Sequence, residues 1–163
     1  FYTLAVRGMH YGRYGAGGED PRLYPLYIGY PSLVRGYDVT NVDAYECVPV
    51  SWSTCPAIDQ LMGSRMLVGN VELRFPLLRP FGLSRGMYGP VPVEVAIFAD
   101  AGVAWTREQT PRVLGGEREG VSSAGVALRV NILGFMVGEF DFVRPFQRPR
   151  QGWMFSFNLL PGW

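Results

Sequence analysis

The chain ends in Trp153-Met-Phe-Ser-Phe-Asn-Leu-Leu-Pro-Gly-Trp163, and this stretch decides between the possible folds. Bulky apolar side chains occupy every second position, at Trp153, Phe155, Phe157 and Leu159. That period predicts a β-strand with one apolar and one mostly polar face. A soluble protein rarely carries such a row on its last strand, because an exposed aromatic edge aggregates. In a transmembrane barrel the row faces lipid and the terminal aromatic lies at the interface. A buried strand of a β-sandwich is the alternative.

The composition narrows the class of protein. The chain has 163 residues, of which 48% are hydrophobic and 18% charged, and its net charge is +1. Nothing in this balance indicates a nucleic-acid partner. The sequence contains no apolar run long enough for a transmembrane helix, so a spanning chain has to be a closed β-barrel. The chain opens in a strand-like pattern without a signal peptide, as expected of a mature or trimmed piece of something longer.

Alternation of apolar and polar residues predicts six strands. They are about Tyr2–Tyr14, Ser64–Leu77, Val93–Trp105, Ser122–Ile132, Phe135–Pro145 and the terminal strand. Each is near the length that crosses a bilayer at a tilt. A sandwich would bury the apolar faces whereas a barrel shows them to lipid, and periodicity does not separate the two. The connection Asn131–Gly134 is very short, whereas the loops 15–63 and 106–121 are long, and this alternation of short turns and long loops favours the barrel.

The segment 15–63 is rich in aromatic residues, so we expect a long loop that is functional or folds onto something. Cys47 and Cys55 lie in it, which suggests a disulfide formed in an oxidising compartment; two free buried thiols are the alternative. With one histidine, His10, the chain offers neither a zinc site nor a Ser/His/Asp set. We therefore predict no catalytic residue, no metal and no cofactor, and a protein that is not an enzyme.

Three internal charges could form a cluster. Arg35 lies in the apolar stretch Leu33–Tyr37, while Glu72 and Asp100 lie in the middle of strands, on faces assigned to a lumen. A carboxylate there needs a partner or water. The planar guanidinium binds carboxylates with two parallel hydrogen bonds. A loop folded into the lumen would place Arg35 between the two acids. The alternative is three unrelated charges, each solvated in a wide lumen.

Five short motifs occur in a fixed order along nearly the whole chain. They are Val34-Arg-Gly-Tyr37, Gly69-Asn-Val-Glu-Leu-Arg-Phe-Pro76, Phe98-Ala-Asp-Ala-Gly102, Ser123-Ala-Gly-Val-Ala-Leu-Arg129 and Phe155-Ser-Phe-Asn158 with Trp163. Together they resemble the C-terminal barrel of the bacterial surface antigen superfamily, the barrel type of BamA and TamA. The resemblance implies an all-β fold, an antiparallel transmembrane β-barrel of sixteen strands, of which this chain (1–163) would supply the last six.

The resemblance also assigns roles to residues. Val34, Arg35, Gly36 and Tyr37 would tip the long loop 15–63, tucked into the lumen, with Arg35 held by Glu72 and Asp100. The terminal strand would carry the signal read by the assembly machinery, with Trp153, Phe155, Phe157 and Trp163 as its aromatic residues. It would also form the seam, the junction at which the last strand of a barrel closes against the first.

The function implied is insertion or export of other outer-membrane proteins, in the bacterial outer membrane. The implied partners are outer-membrane lipid and lipopolysaccharide, client proteins, and further barrel strands from a parent chain or other subunits. Two features differ from the assembly branch of the family. The 163 residues contain no periplasmic POTRA domain. The Cys47/Cys55 pair resembles sequences of another branch, whose members carry soluble periplasmic domains before the barrel. The alternative function is therefore a barrel that anchors a soluble periplasmic or surface domain without insertase activity.

Overall fold

The computed structural model describes residues 2–42, 44–47, 55–77, 93–132, 135–148 and 151–161. Its eight strands are, in chain order, β1 Thr3–Gly12, β2 Leu26–Tyr27, β3 Met62–Gly63, β4 Arg65–Pro76, β5 Val93–Trp105, β6 Val121–Ile132, β7 Met136–Pro145 and β8 Met154–Pro161. One short α-helix, α1, spans Pro56–Asp59, and 3-10 turns span Val39–Asn41, Ala44–Cys47 and Arg112–Leu114. Among the described residues, no helix has the length and apolar character needed to cross a membrane.

Six of the strands form one sheet in the order β1-β4-β5-β6-β7-β8, and every neighbouring pair is antiparallel. The sheet is open, with β1 and β8 as its edges in the described part of the chain. This arrangement confirms the predicted all-β antiparallel fold and is that of a partial β-barrel. The predicted strand Val93–Trp105 has the bounds of β5, and the other predicted bounds fall within two residues of the observed ones, apart from the C-terminal Gly162 and Trp163, which lie outside the described residues.

One connection differs from the predicted alternation of short turns and long loops. β6 and β7 are joined by the short segment 133–135, of which 133 and 134 lie outside the described residues. At the same end of the sheet, β4 and β5 are separated by the much longer segment 77–92. The strand bounds therefore place one long connection on the side where only short turns were expected.

The two faces of the sheet differ sharply. We call the face covered by the segment 13–64 the inner face and the opposite one the outer face. Exposed apolar side chains extend across the outer face on all six strands: Leu4, Val6, Leu67, Val71, Ile97, Val126, Phe140, Phe142, Phe155, Phe157 and Leu159. Six adjacent strands give such a face only when the register keeps every alternation in phase. A continuous exposed apolar surface of this kind is typical of a lipid-facing barrel wall.

The segment 13–64 packs on the inner face through a hydrophobic cluster. Ile28, Val34, Tyr37 and Leu61 come from this segment. They meet sheet residues Met66, Val68, Ala104 and Val121. Within this segment, the two-residue strands β2 and β3 pair with each other in antiparallel fashion. The sequence did not predict this pair, because two residues per strand are too few to show a period.

Candidate functional site

Val34 and Arg35 of the loop motif Val34–Tyr37 contact β5 at every second residue of its inner face, at Phe98, Asp100 and Gly102. The Asp100 carboxylate accepts Nε–H of Arg35 at 2.7 Å and Nη2–H at 2.9 Å, and it also accepts the Arg35 backbone N–H at 3.3 Å. The Phe98 ring lies beneath the guanidinium, with its centroid 3.4 Å from Cζ, in a cation–π contact. A Cβ on Gly102 would lie 2.7 Å from Cγ2 of Val34, so glycine makes room for the motif. The pattern Phe-x-Asp-x-Gly is thus a receptor for Val34 and Arg35.

Glu72 on β4 is a second carboxylate that binds Arg35. Its Oε1 accepts Nη2–H of Arg35 at 2.8 Å. The same carboxylate is held by Arg129 of β6, with N–O distances of 2.8 and 2.9 Å, and by Nε–H of Arg74 at 2.9 Å. Asn70 donates to Asp100 at 2.8 Å and to the Leu33 carbonyl at 2.7 Å. The structure thus brings Arg35, Glu72 and Asp100 together, and it does so through four elements of the fold.

The network around Arg35 carries more negative than positive groups. Its carboxylates are Glu72, Glu94, Asp100, Glu139 and Asp141, all of them buried. Its guanidinium groups are Arg35, Arg74 and Arg129. Among the described residues, the groups joined directly by ion pairs are five acids and three bases, an excess of two negative charges when all are ionised. A further guanidinium, that of Arg7, is attached through Asn70, to whose Oδ1 its Nε–H donates at 2.9 Å. Buried charges of one sign repel strongly at low dielectric, so each guanidinium offsets the repulsion among several of the acids.

After Arg35 the chain bends at Gly36, and Tyr37 contacts the connection between β7 and β8. Gly36 has φ +86°, a left-handed conformation that glycine adopts without steric cost. The buried Tyr37 hydroxyl lies 2.8 Å from Oε1 of Gln147 and accepts the Gln147 backbone N–H at 3.1 Å. Burial raises the pKa of Tyr37, so its hydroxyl keeps its proton and remains a donor.

The terminal strand β8 pairs with β7 and occupies an edge of the sheet. Phe155, Phe157 and Leu159 are on the outer face and are 65%, 50% and 57% exposed. Trp153, just before β8, is also exposed and stacks on Phe142 with ring centroids 5.1 Å apart. On the inner face, Nδ2 of Asn158 lies 3.2 Å from Oδ2 of Asp141, and Oγ of Ser156 lies 3.5 Å from the same atom. Trp163 falls outside the described residues.

Cys47 and Cys55 are joined by a disulfide. The bridge lies in the segment 13–64, and the residues between its two cysteines, 48–54, are outside the described range. No group of His, Cys, Asp and Glu side chains that could hold a metal ion occurs in the part of the chain that the structure describes.

Sequence reasoning missed several members of the network. Glu139 and Asp141 alternate with Phe140 and Phe142, so their inner position was predicted but no role was assigned to them. Arg129 ends the Ser123–Arg129 motif, and its pairing with Glu72 depends on how the strands are aligned. A second buried guanidinium, Arg148, lies in the β7–β8 connection, where no period marks it.

The fold and site define a class of protein: a partial β-barrel with an apolar outer face, whose inner face holds a long loop by an arginine–carboxylate network. A family model described as the Omp85 superfamily domain matches residues 5–159. The chain therefore belongs to the Omp85 superfamily, the bacterial outer-membrane superfamily of protein assembly and translocation. No curated protein and no solved structure matched the chain significantly.

Proposed function

We propose that this chain forms the C-terminal part of an outer-membrane barrel that inserts or exports other outer-membrane proteins. The proposal is based on β8, which is an edge strand. Among the described residues it pairs only with β7, and its aromatic side chains lie on the outer face. An edge strand offers unpaired backbone N–H and C=O groups to an incoming strand.

The mechanism that this geometry supports is mechanical. A client strand adds to the exposed edge by β-augmentation, in which backbone hydrogen bonds supply affinity without demanding one client sequence. The outer-face aromatic residues of β8 keep that edge within the bilayer, into which the client strand has to be inserted.

The partners follow from the same proposal. Outer-membrane lipid and lipopolysaccharide contact the outer face, and further strands, from a parent chain or from other subunits, extend the sheet from β1. Val34, Arg35, Gly36 and Tyr37 serve as the loop latch, with Glu72 and Asp100 as its receptor, and Trp153, Phe155, Phe157 and Trp163 form the terminal signal and seam.

A second candidate function is a barrel that only anchors another domain. It is favoured by how firmly the loop is held. Besides Arg35, the disulfide Cys47–Cys55 and the buried pair Arg148–Glu46 restrain the same segment. A passive anchor gains from a rigid barrel, whereas an insertase needs a labile seam.

Client folding separates the two functions. The complete barrel is reconstituted in lipid vesicles and given an unfolded outer-membrane protein, and client folding is followed by protease protection. An insertase accelerates folding several-fold over empty vesicles. Arg35→Ala should abolish the gain, and Arg112→Ala should keep it, because Arg112 pairs with Glu119 at an exposed site. A folded wild-type barrel that gives no acceleration would support the anchor instead.

A further inference from the structure

The guanidinium of Arg148 is buried in the β7–β8 connection and has five acceptor contacts. Its Nε–H and Nη2–H donate to the two oxygens of Glu46, each at 2.7 Å. Nη1–H donates to the Gly36 carbonyl and Nη2–H to the Asn41 carbonyl, each at 2.7 Å. The remaining contact is to Sδ of Met154 at 3.7 Å. A guanidinium has five N–H donors, so this one is fully used.

These contacts join two segments that are far apart in sequence. On one side is the loop segment Gly36–Cys47, which begins in the Val34–Tyr37 motif and ends at the disulfide. On the other is the connection 146–153, which leads directly into β8. Gln147 adds its contacts to Tyr37, and Nε2–H of Gln151 donates to Glu46 at 2.9 Å. Met154, which the guanidinium touches, is the first residue of β8.

We infer that Arg148 is a positioning residue that couples the loop motif to the terminal edge strand. Arg35 fixes the motif to β4 and β5, and its Nη1 lies 3.9 Å from Asp141 and 4.0 Å from Glu139 on β7. Among the described residues, none of its contacts is with β8 itself. Arg148 supplies that second attachment, because it binds Gly36, next to Arg35, and the start of β8 at the same time. Withdrawal of the loop therefore loosens β8, and displacement of β8 loosens the loop.

The chemistry explains why arginine is needed. Lysine has three donors on one nitrogen and cannot bind both carboxylate oxygens in a plane while reaching two carbonyls in other directions. The acceptor Glu46 is next to Cys47, which the disulfide bonds to Cys55. The inference rests on the barrel fold and its contacts and not on the proposed function.

Amide hydrogen exchange of the intact protein, folded in bilayers, tests the coupling. In Arg148→Ala we expect exchange at least ten-fold faster in two places, residues 36–47 and β8, with β4 and β5 unchanged. Arg148→Lys should give most of the same effect. Arg112→Ala is the matched control and should change neither segment. Exchange that rises evenly over the whole sheet would show a merely structural role and overturn the inference, as would an effect confined to the loop.

Two further variants keep the test decisive. If Arg148→Ala does not fold, Glu46→Gln removes the charge of the acceptor with little change in volume and should raise exchange in the same two segments. Coupling is also reciprocal. Phe157→Ala loosens β8 by removing the ring contact with Phe140 of β7, whose centroid lies 4.9 Å away. It should raise exchange at residues 36–47 when Arg148 is present and should add nothing in Arg148→Lys. Equal effects in the two backgrounds would overturn the inference.

Discussion

The Arg35 guanidinium is buried, lies over the Phe98 ring, and has three carboxylate contacts within 2.9 Å. Its charge offsets a surplus of acids rather than one partner. Removing one member of a buried ion pair leaves the other uncompensated, and here five carboxylates would face two guanidinium groups. A single cation, carried by a loop, thus balances charges from three strands.

We predict that Arg35→Ala lowers the free energy of unfolding by about 3–5 kcal/mol. The measurement is the heat resistance of the folded barrel, followed by gel mobility and by loop proteolysis. Arg112→Ala is the control, because its pair with Glu119 has side chains 74% and 68% exposed and should contribute under about 1 kcal/mol. Equal losses for the two variants would contradict the assignment of Arg35.

Gly102 gives a second prediction at the scale of one residue. A Cβ there would collide with Val34, so Gly102→Ala should push the motif off β5 and destabilise the protein by about 1–3 kcal/mol, the usual cost of overpacking. A Cβ on Gly69 of β4 would meet no atom within 4 Å, so Gly69→Ala should be close to neutral. Protease cleavage within the loop measures both variants. A stable Gly102→Ala with an uncleaved loop would show that Val34 does not need this space.

At the scale of the element, β8 has opposite demands on its two faces. Phe157 is on the outer face, whereas Ser156 lies near the inner acid Asp141. A charge at mid-membrane on the lipid side costs about 2–4 kcal/mol. Phe157→Arg should therefore impair refolding into lipid, and Ser156→Arg should be tolerated, since a cation there meets surplus negative charge. Equal tolerance of the two variants in a refolding assay would reverse the assignment of faces for this strand.

The disulfide restrains the loop as an element. Closing so short a loop should stabilise it by about 2–3 kcal/mol on the chain-entropy model. Reductant should therefore lower the unfolding temperature of the wild type and speed exchange around Glu46. The Cys47→Ser/Cys55→Ser variant should have the unfolding temperature of the reduced protein, and reductant should not change it. Thiol labelling of the unreduced, denatured protein should find no free cysteine, and two reactive thiols would refute the bridge.

At the scale of the whole molecule, the sheet of six strands is open and its inner face is filled by the segment 13–64. The interior width of a barrel grows with strand number, and six strands would leave no room for this segment. We therefore expect the 163-residue chain alone not to form a closed, conducting monomer, and we expect further strands to complete the barrel. Native mass in detergent and conductance across a bilayer measure this. A closed six-stranded monomer would contradict it.

The sequence by itself determined the strands and their faces, because a period of two is a local property that burial on one side imposes on each strand separately. It also indicated the loop, the disulfide and, through the resemblance, the meeting of Arg35 with Glu72 and Asp100. Only the tertiary structure decided which other groups join them. Arg129, Glu139 and Asp141 meet because the register aligns β4 to β7, and register depends on pairing between strands rather than on any one of them. Arg148 reaches Glu46 across 102 residues of sequence. No periodicity marks either residue, because Arg148 lies in the β7–β8 connection and Glu46 in a four-residue 3-10 turn, which is too short to show a period.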